Sequence, residues 1–275
     1  MNVAQVLAEA AAAGLERLDA QLLLLHALGR SSSDRGWLLA HDGDAVAAAA
    51  RQAYRLACER RARGEPLAYI VGRKEFHGLE LAVDARVLVP RPDTETLVDW
   101  ALELLEGRDS PRVIDLGTGS GAIALAIGKG CPHARVEATD ASAAALEVAR
   151  ANAARLGSDI TFREASWLDG ARGPYDLIVS NPPYIAEGDP HLPALSHEPV
   201  QALVSGPDGL DSIRAIVARA TAPLAPRGWL VLEHGWDQAP AVRSLLAEAG
   251  FGYVASRRDL AGIERCTGGQ WLEGG

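Results

Sequence analysis

The chain is poor in cysteine, has no long apolar run and carries no surplus of positive charge. Each shortage excludes a class of function. Cys58, Cys131 and Cys266 are odd in number, far apart and never spaced C-x-x-C. That argues against a disulfide framework or a zinc site, so no metal ligands are expected, and it fits a reducing cytoplasm. The longest apolar stretch near the start, Leu22 to Leu25 and on through Leu28, is too short to span a bilayer. Mean hydropathy is near zero, so no membrane association is expected. No basic region precedes the N-terminal alanines, and Glu9 interrupts them, which reads as a helix rather than a signal peptide. A net charge of −9 does not suit a protein that grips long stretches of DNA or RNA, and no stable nucleic-acid binding is expected. There is neither an internal repeat nor a low-complexity linker.

What is present is 275 residues, 48% of them hydrophobic, enough for one large or two smaller domains. Residues 1 to about 70 read as helical: they are rich in Ala, Leu and Arg and show no β-branched alternation. Asp44 is expected to N-cap a helix running through "AVAAAARQAYRLACERRARG", stopped by Gly64 with Pro66 just beyond. Val46, Ala50, Ala53, Leu56 and Ala57 would form its apolar face. Arg51, Arg55, Arg60, Arg61 and Arg63 lie along the same helix, as a solvated face or a docking patch. From Phe76 to Val89 the period changes to two, and with a turn signal at Asp84 the stretch reads as a β-hairpin joining two domains. Beyond it, strands over Val113–Leu116, Arg135–Thr139, Ile160–Arg163, Asp176–Ser180, Trp229–Glu233, Tyr253–Arg257 and Cys266–Leu272 alternate with helices over Thr94–Leu105, Gly121–Lys129, Ser142–Leu156, Leu210–Ala222 and Gln238–Glu248. Alternation of this kind predicts a doubly wound, mostly parallel sheet.

Chemistry enters with "RVIDLGTGSGAIALAIG", an apolar strand, a glycine loop and a helix in that order. Gly117, Gly119 and Gly121 let the backbone approach a ligand. The next strand ends at Asp140, where a carboxylate can bond both hydroxyls of a ribose. A nucleoside-type cofactor follows. The nicotinamide fingerprint is G-x-G-x-x-G, and here the third glycine comes one residue early. Asp115 is expected to face the site, repel a pyrophosphate and suit a cationic ligand such as S-adenosylmethionine; the alternative is that it caps the following turn. Trp167, in a loop after the third strand, can stack on adenine or pack in the core.

"YDLIVSNPPY" places Asn181 at the carboxyl end of a buried strand, where ligands bind in open α/β sheets. An amide nitrogen is a poor nucleophile because its lone pair is delocalised, the same resonance that flattens the peptide bond. To accept a methyl group it must pyramidalise. Two acceptors holding its two N–H bonds can impose that. The Asn181 side-chain oxygen is one, and the Pro182 carbonyl is a good second. Pro182 and Pro183 have φ fixed near −65°, so the loop is stiff beforehand. Tyr184 can lay its ring against a planar amide or near a sulfonium. Orientation and preorganised dipoles would then do the catalysis.

With these residues in view, the chain resembles the HemK-type family, the glutamine methyltransferases that modify class I peptide-chain release factors. The resemblance covers nearly the whole chain: "EPLAYIVG" at Glu65–Gly72, "VLVPRPDTETLV" at Val87–Val98, "DLGTGSGAIALA" at Asp115–Ala126, "NPPY" at Asn181–Tyr184, "EPVQAL" at Glu198–Leu203, "DGLD" at Asp208–Asp211, "LEHG" at Leu232–Gly235 and "RDLAG" at Arg258–Gly262. "NPPY" alone is shared with adenine-amino DNA methyltransferases; the ordered set is far more specific. The resemblance implies a Rossmann-like class I methyltransferase domain over 93–275, mostly parallel with a reversed last strand. A β-hairpin linker over 75–92 and an all-α substrate-docking domain over 1–74 would precede it. It implies that Gly117, Thr118, Gly119, Ser120, Gly121, Asp140, Trp167 and Asn181 contact S-adenosylmethionine, and that Asn181, Pro182, Pro183 and Tyr184 hold the substrate glutamine. Arg91 and Thr94 would close the cleft. Glu264, Cys266 and His77 depart from the usual pattern and are expected to stay away from the chemistry. The competing readings are a glutamine methyltransferase for a ribosomal protein, a DNA or RNA amino-group methyltransferase, and a non-catalytic binder of the donor. Gly268, Gly269 and Gln270 spell GGQ, the tripeptide that the family methylates in its substrates; here the match reads as coincidence.

Overall fold

The computed structural model describes residues 1–272; the last three residues of the expected 93–275 domain lie outside the described residues. The chain divides into two compact units, Met1–Arg73 and Lys74–Gly275.

The first unit is built from α1 (Val3–Ala12), α2 (Arg17–Ala27), α3 (Arg35–Ala40), α4 (Ala48–Ala62) and α5 (Leu67–Val71). A reciprocal cap starts it: Asn2 accepts from the Gln5 N–H at 2.9 Å, and the Gln5 side chain accepts from the Asn2 N–H at 3.0 Å. Val3, Val6, Leu23, Leu24, Leu25, Leu38, Tyr54 and Ile70 share one core, and each large side chain buried there contributes about 1.5–3 kcal/mol. Two expectations are corrected. Asp44 does not cap α4, which starts at Ala48 behind Ala47 with no side-chain cap. The Asp44 carbonyl instead accepts from the Val3 N–H at 3.1 Å, and Ala45 bridges to Asn2, so this stretch is extended against the start of α1. Within α4, Ala53 and Leu56 face solvent, and the buried stripe is Ala50, Tyr54, Ala57 and Cys58. That spacing, i, i+4, i+7, i+8, is a single helix face, and the Tyr54 ring gives it the most area to bury.

β1 (Arg73–Phe76) and β2 (Leu79–Ala82) form the hairpin. Its turn is at His77–Gly78, with φ of +48° and +69°, and not at Asp84. A two-residue hairpin loop of this hand needs left-handed backbone. Asp84 makes a local turn, accepting from the Arg86 N–H at 3.0 Å, and the stretch from there to Pro92 forms no strand. Leu79, Leu81, Val83, Val87 and Val89 are nevertheless all buried. The alternation of β2 thus carries on past the end of the strand, with a break at Ala85.

The second unit is a seven-stranded sheet: β3 (Arg112–Leu116), β4 (Arg135–Asp140), β5 (Ile160–Glu164), β6 (Tyr175–Ser180), β7 (Leu224–Glu233), β8 (Phe251–Arg258) and β9 (Glu264–Trp271), in the order β5-β4-β3-β6-β7-β9-β8. Neighbours from β5 to β7 pair in parallel, and β9 runs against both β7 and β8. This is the Rossmann-like sheet with a reversed last strand expected from the sequence. The helices α6 (Glu95–Leu105), α7 (Ala122–Gly130), α8 (Ala143–Leu156), α9 (Asp211–Ala220) and α10 (Ala239–Glu248) cover it. Two apolar clusters lie along the sheet, one holding α6 and α7 residues, the other α9 and α10 residues. From β3 the sheet grows toward β4 on one side and β6 on the other, so the loops leaving β3, β4 and β6 meet at one crevice, the usual ligand position in such sheets. The GGQ tripeptide lies within β9. Gln270 is 9% exposed and its Nε2 donates to the Arg227 carbonyl at 2.9 Å, so its amide is already engaged in joining β9 to β7.

Candidate active site

The β3–α7 loop folds back on the end of β4 because the Gly117 and Thr118 N–H groups both donate to the Thr139 carbonyl, at 2.8 and 2.9 Å. Gly121 ends the loop with φ +83° as the N-cap of α7. A Cβ there would meet the Leu125 side chain at 3.1 Å and Ala149 Cβ at 3.3 Å, so the residue is needed for the turn and for helix packing. Asp140 closes β4. Its Oδ2 accepts from the Gly119 N–H at 2.9 Å and its Oδ1 from the Ser142 N–H at 2.8 Å. Each oxygen keeps a second acceptor site, and the carboxylate is held face-on to the loop. Trp167 sits at φ +48°, a conformation that costs a non-glycine residue about 1–3 kcal/mol and is characteristic of ligand sites. Its carbonyl accepts from the Thr139 hydroxyl at 3.1 Å. Its ring edge lies 3.3 Å from where a Gly117 Cβ would stand, so a side chain there would press against the ring.

A cavity of about 380 Å³ opens between these parts. Of the residues expected to hold the cofactor, Gly117, Gly119, Asp140, Trp167 and Asn181 line it; Pro183 does too. Thr118, Ser120 and Gly121 do not. Thr118 and Ser120 are buried; the Thr118 hydroxyl donates to Asp115 Oδ2 at 2.6 Å, and the Ser120 carbonyl accepts from Asn152 Nδ2 at 3.0 Å. They shape the loop from behind. Asp115 is likewise fully buried under the loop, not facing the cavity: the turn-capping alternative is the one realised. Burial pushes its carboxyl up to about 7, against weaker pulls from the Thr118 hydroxyl and the nearby Ala124 N–H. Its Oδ1 makes no hydrogen bond of normal geometry. Sequence reasoning missed the cavity's other walls, Arg86–Leu88 and Pro199, Gln201 and Ala202. Glu198 draws these two segments together, accepting from the Val89 N–H at 3.0 Å and pairing with Arg91. Arg91 thus ties the walls together. A separate cavity of about 440 Å³ in the first unit, beside Tyr54 and Cys58, holds no arrangement suited to group transfer.

Asn181 leaves β6 with its Nδ2 donating to the Thr94 hydroxyl at 3.2 Å. That bond leaves its Oδ1 free to accept. Pro182 is buried and Tyr184 half-buried, and neither lines the cavity. Tyr184 points instead toward the end of β7; burial first, then the Glu233 charge, raises its hydroxyl well above the usual range. Its carbonyl accepts from Gln238 Nε2 at 3.0 Å. The "DGLD" glycine explains itself here. Gly209 has φ +76°, and a Cβ would fall 2.2 Å from the Tyr184 carbonyl oxygen. Gly209→Ala is expected to destabilise the fold by roughly 1–3 kcal/mol and to slow turnover, because the loop after Asn181 must shift; urea unfolding and steady-state kinetics on the same preparation check both. Of the three departures from the family pattern, His77 sits in the hairpin turn against Asp99, 2.9 Å away, and Glu264 pairs with Arg243 at 3.2 Å. Cys266 is the surprise. It is fully buried and is the cross-strand partner of Glu233.

Comparison with known proteins gives this arrangement its context. The model of the methyltransferase small domain matches residues 95–205, and that of the PrmC N-terminal domain matches residues 2–72. A release factor glutamine methyltransferase of Bordetella pertussis is 54% identical over 260 residues, covering 93% of this chain and 95% of that one. One of Xylella fastidiosa is 52% identical over 265 residues, covering 95% of each. Among solved structures, the T. thermophilus 16S rRNA N2 G1207 methyltransferase in complex with AdoMet and guanosine aligns with a TM-score of 0.53 at 21% identity, covering 72% of this chain and 49% of that one. That likeness concerns the fold. Identity above one half, sustained across nearly the full length of both chains, places this chain in the release factor glutamine methyltransferase family.

Proposed function

We propose that the protein transfers a methyl group from S-adenosylmethionine to the side-chain amide nitrogen of the GGQ glutamine of class I peptide chain release factors. The observation that carries this reading is the placement of Asn181. Its amide lines the same cavity as Gly117, Gly119, Asp140 and Trp167, with Nδ2 tied to Thr94 and Oδ1 left to accept an N–H.

The residues fit the donor. Asp140 keeps two acceptor sites for ribose hydroxyls, the bare backbone of Gly117 and Gly119 lets a ligand lie close, and the Trp167 ring offers a stacking face. When bound, the donor supplies an electrophilic methyl group on a sulfonium. Asn181 Oδ1 and the Pro182 carbonyl then hold the two N–H bonds of the glutamine amide, so that its lone pair is aimed rather than delocalised. One proton leaves the nitrogen for each methyl gained. The prolines keep both acceptors in place before substrate arrives.

We further assign docking of the release factor to the helical unit, Met1–Arg73, through the outer side of α4. Arg60 and Arg61 on that helix are engaged with Glu65 and Asp19. Leu56 and Arg55 are exposed. No helix among the described residues is long and apolar enough to cross a membrane, and three free cysteines suit the cytoplasm, where release factors act. The test is methyl transfer from labelled S-adenosylmethionine to an unmodified release factor, a short GGQ peptide, an unmodified ribosomal protein fraction and unmethylated DNA, with peptide mass spectrometry locating the label. Label on the GGQ glutamine, with a lower KM for the intact factor than for the peptide, is the expected result. Label only on DNA or another protein overturns the substrate, and equal KM values overturn the docking role.

A further inference from the structure

Glu233 is the last residue of β7. Leu232 is in register with Ser180 on the neighbouring β6, so one step further along each strand brings Glu233 level with Asn181. The carboxylate is 1% exposed, and neither of its oxygens makes a hydrogen bond of normal geometry. An unpaired buried carboxylate is costly, and each such group in a native fold calls for a reason. The groups facing it come from every neighbouring element. The Thr94 and Tyr184 hydroxyls and the Arg265 guanidinium favour its anion, while Asp93 disfavours it. Cys266 is its partner on β9. Arg265 is shared among Asp93 at 3.3 Å and Asp259 at 3.2 Å, so it does not neutralise Glu233 alone. His234, next in the chain, turns to Thr267 and the Gly235 carbonyl.

Thr94 links this carboxylate to the site. It is 4% exposed, and its oxygen accepts from Asn181 Nδ2. A hydroxyl has one hydrogen to donate, whereas an ionised carboxylate can only accept. An asparagine turned the wrong way would present N–H groups to the N–H groups of an incoming amide. We propose that Glu233 is a positioning residue that sets which way round the Asn181 amide sits: its anion draws the Thr94 hydroxyl hydrogen to its side, so the Thr94 oxygen accepts from Asn181 Nδ2, and Oδ1 is left facing the cavity. The Tyr184 hydroxyl favours the same anion. This inference rests on the reading of Asn181 as the group that holds the substrate amide.

A consequence for pH follows. Burial pushes the Glu233 carboxyl up to about 7. Only the anion is restricted to accepting, so turnover should rise as pH increases through that value and the acid ionises. Tyr184 and Cys266 are both pushed upward, away from this window, by burial. Asp115 titrates near the same value under the glycine loop, and the Glu233 variant separates the two.

The experiment uses the full chain with intact release factor and labelled donor. Turnover and KM are measured across about pH 6 to 9, with calorimetry for the donor. Expected for E233Q is a kcat about tenfold lower, the equivalent of one hydrogen bond, with the rise near pH 7 flattened and both the KM for the release factor and the donor affinity unchanged. T94V should match it, T94S should restore the rate, and E233Q combined with T94V should be no worse than either alone, since both cut one series of contacts. E233Q or T94V with wild-type kcat and an intact rise near pH 7, altered only in melting temperature, would overturn the proposal. If E233Q does not fold, the T94V and T94S pair decides in the same way. Unlabelled release factor with wild-type protein overturns this inference together with the functional reading, whereas labelled wild type and an unaltered E233Q overturn this inference alone.

Discussion

Asn181→Ala is expected to lower kcat roughly 10²–10³-fold, the usual loss on removing one preorganised hydrogen-bonding group from a site where charge shifts in the transition state. On the proposed reading, the variant loses the acceptor for one N–H of the substrate amide, and with it the geometry that would keep the nitrogen lone pair out of conjugation. Donor binding should largely survive, because Gly117, Gly119, Asp140 and Trp167 remain to shape that part of the cavity. The fold should survive as well. Asn181 is half-buried and gives up a single 3.2 Å bond to Thr94, worth about 1 kcal/mol. Asn181→Asp is the sharper companion. It keeps an acceptor oxygen but cannot donate to Thr94 and adds a charge close to Glu233, so it should be about as slow. Steady-state kinetics with release factor, paired with calorimetric titration of S-adenosylmethionine, separates lost turnover from lost binding. Wild-type turnover in Asn181→Ala would remove Asn181 from the chemistry.

The parts of the site that were legible in the sequence are those that local chain geometry dictates. A glycine loop between an apolar strand and a helix, an acid ending the next strand, and Asn-Pro-Pro ending a buried strand all fall at carboxyl ends of parallel strands, and a doubly wound sheet brings such ends together. Gly117, Gly119, Asp140, Trp167 and Asn181 accordingly meet in one cavity. The distinction among loop residues was not legible. Thr118, Ser120 and Gly121 share the motif with Gly117 and Gly119, but they face away from the cavity because their partners Asp115, Asn152 and Ala149 come from other elements.

The roof of the cavity was hidden for a different reason. Nothing in Arg86–Leu88 or in Pro199, Gln201 and Ala202 signals a shared surface, and what unites them is a single buried acid, Glu198, about a hundred residues away in sequence from the Val89 N–H and the Arg91 guanidinium it binds. "EPVQAL" could be quoted as a motif, yet its purpose lies in that long-range contact. Glu233 presents the same problem: at the end of a strand it reads as an exposed polar terminus, and only the packing of Thr94, Tyr184 and Cys266 around it shows a buried, unpaired carboxylate. The misplaced hairpin turn has the opposite cause. Alternating burial from Leu79 to Val89 imitates a strand pair, whereas the real turn needs two residues with positive φ, one of them His77, a residue type that gives little warning of it.

Asp140→Ala should weaken S-adenosylmethionine binding by about 10²-fold, since the carboxylate has acceptor sites for two hydrogen bonds and bonds to a charged group are worth about 1.5–3 kcal/mol each. The effect has a second source in this chain. Asp140 also receives the Gly119 and Ser142 N–H groups, so its loss frees the glycine loop and the start of α8 together, and part of the lost affinity is the entropy of reordering them on binding. Asp140→Asn separates the two contributions. It keeps one acceptor oxygen for a backbone N–H but turns N–H groups toward the other, so the loop is half-held and one ribose contact is lost, and an intermediate loss of about tenfold is expected. Neither variant touches Asn181, Thr94 or Glu233, so kcat at saturating donor should stay close to wild type while KM for the donor rises. Unchanged donor affinity in Asp140→Ala, measured by calorimetry, would mean that the ribose lies elsewhere in the cavity, with the Ser142–Ala145 and Ala165–Trp167 walls the next positions to substitute.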